Sequence, residues 1–304
     1  MPPKDIQAKD IPSDSEKLVE LLRDIGDELL GHECHESERC RMPSPYVIKD
    51  VIAKLTHLLF PRSHYQKVET ESSLRLSVPR TLARVYESLS HEIHWAYNVV
   101  NQGEESRRKK LADDLSIELL KELPSIRKTL ECDLEEVMNH DPAAKGIEEV
   151  LLAYPGFEAL TVHRLAHFLH KRDIPLIPRM MSEIVHSRTG IDIHPGAQIS
   201  PYCSIDHGTG LIIGETTIIG EHVNLFHNVT LGARSVTPEF RNTKRHPTIG
   251  HHVIIYPGAT ILGDIEVGDN TVIGGNVFLL ESCPADSKIY AEPPKMILKK
   301  NGQS

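Results

Sequence analysis

IDIHPGAQISPYCSIDHGTGLIIGETTIIGEHVNLFHNVTLG (191–232) and IGHHVIIYPGATILGDIEVGDNTVIGGNVFL (249–279) decide how this chain folds. An aliphatic residue returns at every sixth position: Ile193, Ile199 and Ile205, then, after a slip of two residues, Ile213, Ile219, Leu225 and Leu231. The register resumes at Ile249 and continues through Ile255, Ile261, Val267, Ile273 and Leu279. A period of six fits neither a helix of about 3.6 residues per turn nor an alternating two-sided strand. It fits a solenoid with three short strands per coil, each aliphatic side chain stacked on its counterpart one coil away. At a strand spacing of about 4.8 Å the repeats would build a prism roughly 20 Å tall.

A second inward series is expected four residues further on: Ala197, Cys203, Thr209, Thr217, Val223, Val229, Val253, Ala259, Ile265, Thr271 and Val277. Glycines such as Gly214, Gly220, Gly232, Gly250, Gly263, Gly268 and Gly274 stand near the corners, where tight bends call for positive φ. Leu231 and Ile249 are 18 residues apart, one coil's worth, so ARSVTPEFRNTKRHP (233–247) reads as a loop projecting from a corner. It carries Arg234, Arg241, Lys244 and Arg245.

Upstream, residues 1–190 read as a helical N-terminal domain. SDSEKLVELLRDIGDELL (13–30) opens on cap residues and spaces its leucines helically, and amphipathic segments follow at 45–60, 79–101, 106–122, 124–139, 145–153, 156–171 and 176–187. Prolines, including Pro79 and Pro124, mark their expected boundaries. The solenoid then occupies 191–283, and 284–304 is an extended polar tail. The fold class is therefore α+β: helices, then a parallel β-helix.

The chain has 304 residues, 39% of them apolar, enough for a sizeable core. With 34 Lys+Arg against 43 Asp+Glu the formal charge is −9, which argues against a global grip on nucleic acid or anionic membrane. No apolar run reaches the roughly 18 residues of a membrane span, and the N-terminus lacks a leader pattern, so a cytoplasmic location is expected. Five scattered cysteines fit a reducing compartment.

Asp206-His207 directly follows inward Ile205, and Asp192, 15 residues earlier, is close to one coil away. A carboxylate beside an imidazole fixes its tautomer and stabilises the imidazolium formed when it accepts a proton. With 18 histidines in the chain, an ordinary surface histidine is the competing reading.

In order, the motifs DPA (141–143), DIHP (192–195), DHGTG (206–210), VTLG (229–232) and RHP (245–247) make the chain resemble the serine O-acetyltransferases, a hexapeptide-repeat acyltransferase family. The resemblance is close over 187–280 and extends upstream through 140–170, with 139–190 the most family-like part of the helical domain. It implies a left-handed β-helix, trimeric or a dimer of trimers, that makes O-acetyl-L-serine from L-serine and acetyl-CoA for cysteine synthesis. It implies no permanently bound cofactor and no metal. By the same resemblance His207 is the general base and Asp192 the carboxylate orienting it. Asp141 and Asp206 hold the substrate ammonium, and Arg245 with His246 its carboxylate. A zwitterion does need acceptors at one end and a cationic fork at the other. Asp141 also reads as a helix N-cap before Pro142. Gly232, Ala233, Pro257, Gly258, Gly274 and Gly275 match the groove for acetyl-CoA, with Lys244 or Arg241 toward its phosphates. Cys203 is read as core. The loop begins Gly232-Ala233-Arg234-Ser235 where many members have Gly-Gly-Thr-Gly, and Pro257 replaces a small alanine. The sequence closes on Asn-Gly-Gln-Ser without the terminal isoleucine that many relatives insert into cysteine synthase, so that partnership is not expected.

Three other readings compete. His222 and His227, with His186 or His207, have a spacing that resembles the zinc site of gamma-class carbonic anhydrases. A non-enzymatic trimeric scaffold would explain the prism alone, and a homoserine or sugar acceptor would keep the chemistry. The group His32, Cys34, His35 and Cys40 reads as a solvated turn.

Overall fold

The computed structural model describes residues 23–25, 41–61, 71–100, 103–235, 237 and 243–292. The group at His32–Cys40, Arg241, most of the 13–30 helix and the last twelve residues lie outside these. Six helices precede the strands: α1 (Pro45–Leu59), α2 (Glu71–Val99), α3 (Glu105–His140), α4 (Ile147–Ala153), α5 (Pro155–His170) and α6 (Ile177–Thr189). Ser44 caps α1 by accepting the Val47 N–H, with Pro45 in the first turn, where its missing N–H costs nothing. Among the described residues no helix is long and apolar enough to cross a membrane.

Two expected breaks are absent. Pro79 lies inside α2 and Pro124 inside α3, so the segments 106–122 and 124–139 form one helix. A proline in a helix interior forfeits one hydrogen bond. In α3 the buried series Leu115, Leu119, Leu123, Ile126, Leu130 and Leu134 runs through Pro124 without changing face, so packing overrides the local penalty.

The solenoid has three parallel faces. The first joins β1 (Asp192–Ile193), β4 (Ile212–Ile213), β7 (Thr230–Gly232), β10 (Thr260–Leu262) and β13 (Phe278–Leu279). The second joins β2 (Gln198–Ile199), β5 (Ile218–Ile219), β8 (Thr248–Ile249) and β11 (Glu266–Val267). The third joins β3 (Cys203–Asp206), β6 (Val223–Phe226), β9 (Ile254–Ile255), β12 (Val272–Ile273) and β14 (Lys288–Ile289). The register stacks the aliphatic series as the period requires: Ile193 on Ile213, Leu231, Ile261 and Leu279, and Ile205 on Leu225, Ile255 and Ile273. All of the series is buried except Ile199 and Leu279, which are half-buried at the two ends.

Three details depart from the sequence reading. Thr209 is exposed and Leu211 is buried in its place, because the two-residue slip falls before it. Most corner glycines have ordinary φ; the left-handed corner positions belong to Tyr202, His207, His222, Asn228, His252, Asn270, Asn276 and Asp286. The glycines serve close approach instead: a Cβ on Gly268 would fall 2.3 Å from the Ala285 nitrogen. The segment after 283 adds β14, with Ile289 paired to Ile273 and Cys283 bridged to Val267. These partners are 16 residues apart rather than 18, which hides them from the period.

The helices grip the solenoid through buried ions. Asp133 of α3, fully buried, binds Arg164 of α5 in a fork of 2.6 and 2.8 Å and accepts the Cys203 N–H at 3.0 Å. Arg164 also donates to the carbonyls of Ile199 (3.0 Å) and Ser200 (3.1 Å). Burial pushes the Asp133 carboxyl up, against the pull of Arg164 and the Cys203 N–H. One turn on, buried Glu136 accepts from His222 Nδ1 (2.8 Å) and Asn224 Nδ2 (3.0 Å). Gly156 at the start of α5 completes the contact, since a Cβ there would lie 2.1 Å from the Ile205 carbonyl oxygen. Arg164→Leu strands a buried carboxylate, and the urea midpoint should fall by an amount equivalent to about 3–5 kcal/mol. A shift below about 0.5 kcal/mol, the level of a surface substitution, would contradict the buried-pair account.

Candidate active site

One corner of the solenoid is longer than its counterparts. From the third face to the first, inward residues are six apart at Leu225–Leu231, Ile255–Ile261 and Ile273–Leu279, but eight apart at Ile205–Ile213. The surplus is taken up by left-handed backbone at His207 (φ 56°), Gly208 (76°) and Gly210 (78°), a region His enters more readily than most residues. The bulge carries the His207 side chain outward, where it is 73% exposed in the single chain. Its Nε2 lies 3.7 Å from Asp206 Oδ1, and its ring centre 5.8 Å from that of His227.

Asp192 sits one coil below this corner. Gly210 donates to the Gly190 carbonyl at 2.8 Å and Asp192 to that of Leu211 at 2.9 Å. Its carboxylate lies 4.0 Å from Arg179 and close to Glu183 and His186; no hydrogen bond joins it to His207 among the described residues.

Asp206 and Asp141 come together across a cleft of about 180 Å³ between the end of α3 and the outer side of the third face. Asp141 caps the C-terminal end of α3 rather than starting a helix, because Pro142 and Ala143 form a turn. Its Oδ1 accepts the Ala143 N–H at 2.8 Å, and its Oδ2 accepts the Tyr154 hydroxyl at 2.7 Å. This bond to Asp141, with desolvation, pushes the Tyr154 phenol up to about 12, so it stays a donor. The sequence reading passed over Tyr154; its only signal was its place just before Pro155-Gly156 at the start of α5. No Lys or Arg lines the cleft among the described residues.

Arg245 and His246 occupy a different corner, between the first and second faces, where the 233–247 loop returns to β8. Arg245 pairs with Glu215, and its N–H donates to Thr216 Oγ1 at 3.0 Å. His246 is 7% exposed. Its Nδ1 accepts the Thr216 N–H at 3.1 Å and lies 2.9 Å from the same residue's hydroxyl. An accepting Nδ1 puts the proton of the neutral ring on Nε2, leaving that N–H as a donor. Burial first, then Arg245, lowers the His246 pKa to about 4. Glycine at 214 is required here, since a Cβ would lie 2.0 Å from His246 Cδ2. Burial raises the Glu215 carboxyl, but Arg245 and His194 outweigh it and hold the group low. Lys244 bonds the His246 carbonyl and lies 3.7 Å from Asp264, so it ties down the loop.

The groove residues divide the same way. Gly232 and Ala233 lie where the loop leaves β7, while Pro257, Gly258, Gly274 and Gly275 lie on the corner of His207, with Gly274 buried beneath the Tyr290 ring. Cys203 is buried in the core, where desolvation raises its thiol far above the ordinary range. His222 and His227 sit at opposite ends of β6: His222 stacks between Tyr202 (4.4 Å) and His252 (4.7 Å), committed to Glu136, while His227 neighbours His207. The zinc spacing is thereby not assembled.

A family model described as "Serine acetyltransferase, N-terminal" matches residues 66–162, and one described as "Bacterial transferase hexapeptide (six repeats)" matches 246–280. A plasmid serine acetyltransferase of Synechococcus elongatus is 38% identical over 287 residues, covering 90% of this chain and 89% of the relative. Serine acetyltransferase 1 of Entamoeba histolytica, solved with L-cysteine, superposes with a TM-score of 0.70 at 36% identity, covering 83% of this chain and 88% of that one. A serine acetyltransferase of Brucella abortus, solved with coenzyme A, gives 0.55 at 26% identity, with coverages of 82% and 93%.

The neutral burial of His246 makes stability depend on pH. Between about 6.5, where the ring titrates in an unfolded chain, and about 4, the unfolded state takes up a proton that the fold refuses. Its stabilisation is therefore full above this window and is lost as pH falls through it. Urea midpoints measured across the window should fall less steeply for His246→Gln than for the parent; equal slopes would mean that the ring accepts its proton in the folded state.

Proposed function

This chain belongs to the serine acetyltransferase family and O-acetylates L-serine with acetyl-CoA, the first step of cysteine biosynthesis; from that premise we propose how its residues divide the work. The observation that carries the reading is the pairing of an outward imidazole with an acidic cleft that no Lys or Arg lines among the described residues. L-Serine lies with its ammonium between Asp141 and Asp206 and its hydroxyl toward His207. His207 takes the hydroxyl proton as the oxygen attacks the thioester carbonyl. The tetrahedral adduct then expels the CoA thiolate, which recovers the proton from the imidazolium, giving O-acetyl-L-serine and CoA with no acyl-enzyme. General-base help of this kind is worth roughly 10² to 10⁴ in rate. Asp192, directly below the corner, stabilises the imidazolium after a side-chain rotation away from Arg179.

The carboxylate of serine needs Arg245 and the Nε2–H of His246. Those belong to another edge of the same prism, so the two halves meet only where one subunit's corner faces its neighbour's. A closed trimer supplies three such seams. It also shields His207 from bulk water and lets the pantetheine of acetyl-CoA run between Gly232–Ala233 of one subunit and Pro257–Gly258 and Gly275 of the next. A sugar or other acceptor without an ammonium would desolvate Asp141 and Asp206 and bring them no cation, which disfavours it strongly.

His207→Ala should lower kcat with L-serine by roughly 10² to 10⁴, read as thiol release from acetyl-CoA. Arg245→Ala should chiefly raise KM for serine. Assayed at a serine concentration far below that raised KM, where each variant alone is nearly silent, the two assembled together in equal amounts should recover about one quarter of parental activity, since random mixing of subunits leaves that share of seams with both halves intact. No recovery in demonstrably mixed assemblies would place both halves within one subunit and reject the seam.

A further inference from the structure

The ammonium cleft has an aromatic wall that the assignment above leaves without a role. Phe226 and Tyr256 stack with ring centres 5.2 Å apart and planes 14° from parallel. The register explains the stack: Asp206 pairs with Phe226 across β3 and β6, and Leu225 pairs with Ile255 one coil further on, which puts Tyr256 beyond Phe226. Asp206, Phe226 and Tyr256 therefore form one column on the outer side of the third face, at successive strand spacings of about 4.8 Å. Tyr256 covers one face of the Phe226 ring. The other is turned toward the Asp206 rung. All three line the cleft together with Asp141 and Tyr154.

A cation held over an aromatic face is attracted by the ring quadrupole, the more so when water is displaced. We propose that Phe226, backed by Tyr256, is a specificity-determining residue that roofs the ammonium subsite, so that the acceptor's charged amino group lies between the Asp206 carboxylate and the Phe226 ring. The inference rests on Asp206 being the ammonium partner. Tyr256 holds the ring parallel to the coils and excludes water from its far side. The wall favours a primary ammonium and disfavours acceptors whose nitrogen is acylated or absent, because these bring no positive charge to the ring.

Aromatic columns also serve packing in this fold, as the Tyr202–His222–His252 stack on another corner shows, so the test must read charge and not bulk. In the full-length enzyme Phe226→Leu keeps apolar volume and removes the ring; KM for L-serine should rise roughly three- to thirtyfold, with a much smaller change in kcat and in KM for acetyl-CoA. Phe226→Trp should restore most of the affinity. Ring-fluorinated phenylalanines at position 226, nearly equal in size but progressively poorer in ring electron density, should raise KM for serine stepwise. No gradient with fluorination, or an unchanged KM in Phe226→Leu, overturns the proposal. Asp206→Asn separates the premise from the inference. If it raises KM for serine while the ring series is flat, the aromatic roof alone is wrong; if it also leaves KM unchanged, the ammonium assignment fails with it.

Discussion

Each coil of this solenoid must sit one strand spacing from the last, so a residue's neighbours are set by its place in the coil rather than by its place in the chain. This constraint builds columns. Inward columns of Ile, Leu and Val contribute roughly 1.5–3 kcal/mol for each side chain buried, and because the same position recurs, one packing solution serves every coil. Outward columns inherit the order without having to satisfy the core. Asp206, Phe226 and Tyr256 are such a column, and His207 owes its exposure to the two residues by which its corner exceeds the others.

The helical part completes a site that the solenoid alone could not make. α3 delivers Asp141 at its C-terminal cap, and its position is fixed by Asp133 and Glu136, about two turns and about one turn earlier, both buried and both bonded to the solenoid. A buried ion pair contributes little net stability, since desolvation consumes most of the Coulombic gain. What it supplies is register: Arg164 reaches two carboxylate oxygens on α3 and the two carbonyls of Ile199 and Ser200 at the end of β2, and a sliding helix would break all four bonds together. Gly156 adds a steric stop at Ile205, beside Asp206. The proposed ammonium site thus depends on contacts that never touch substrate.

The period made the solenoid legible because it is a many-times-repeated statement of one local fact. Where the repeat is stated once, reading faltered. Thr209 was assigned inward because the slip could be counted but not placed before or after it. The corner glycines were read through backbone freedom when their cause is the nearness of the next coil, a distance that no single coil reveals. Ile289 fell in the expected tail because its coil is two residues short. Pro124 was read as a break since the buried face running through it becomes apparent only when α3 is packed. In the site, His207, Asp206, Arg245 and His246 were visible through short motifs. Tyr154 was not, as its bond to Asp141 spans 13 residues and no motif. That Arg245 and His207 occupy different edges follows from counting faces around the coil, which needs strand positions as well as residues.

Charge decides which end of each substrate can enter. At the proposed seam Asp141 and Asp206 face Arg245, itself paired with Glu215, while the burial of His246 keeps that ring neutral at physiological pH. The proposed acceptor side is therefore net negative before substrate arrives, and a zwitterion leaves that sum unchanged while setting its ammonium against the Asp141 and Asp206 carboxylates. The same field acts on the donor. Acetyl-CoA carries its phosphates at one end and its thioester at the other, and the two are separated by the length of the neutral pantetheine arm. In the proposed arrangement carboxylates at the acceptor cleft repel the phosphate end and tolerate the acetyl end, so one set of acidic residues would both select the amino acid and orient the thioester toward His207.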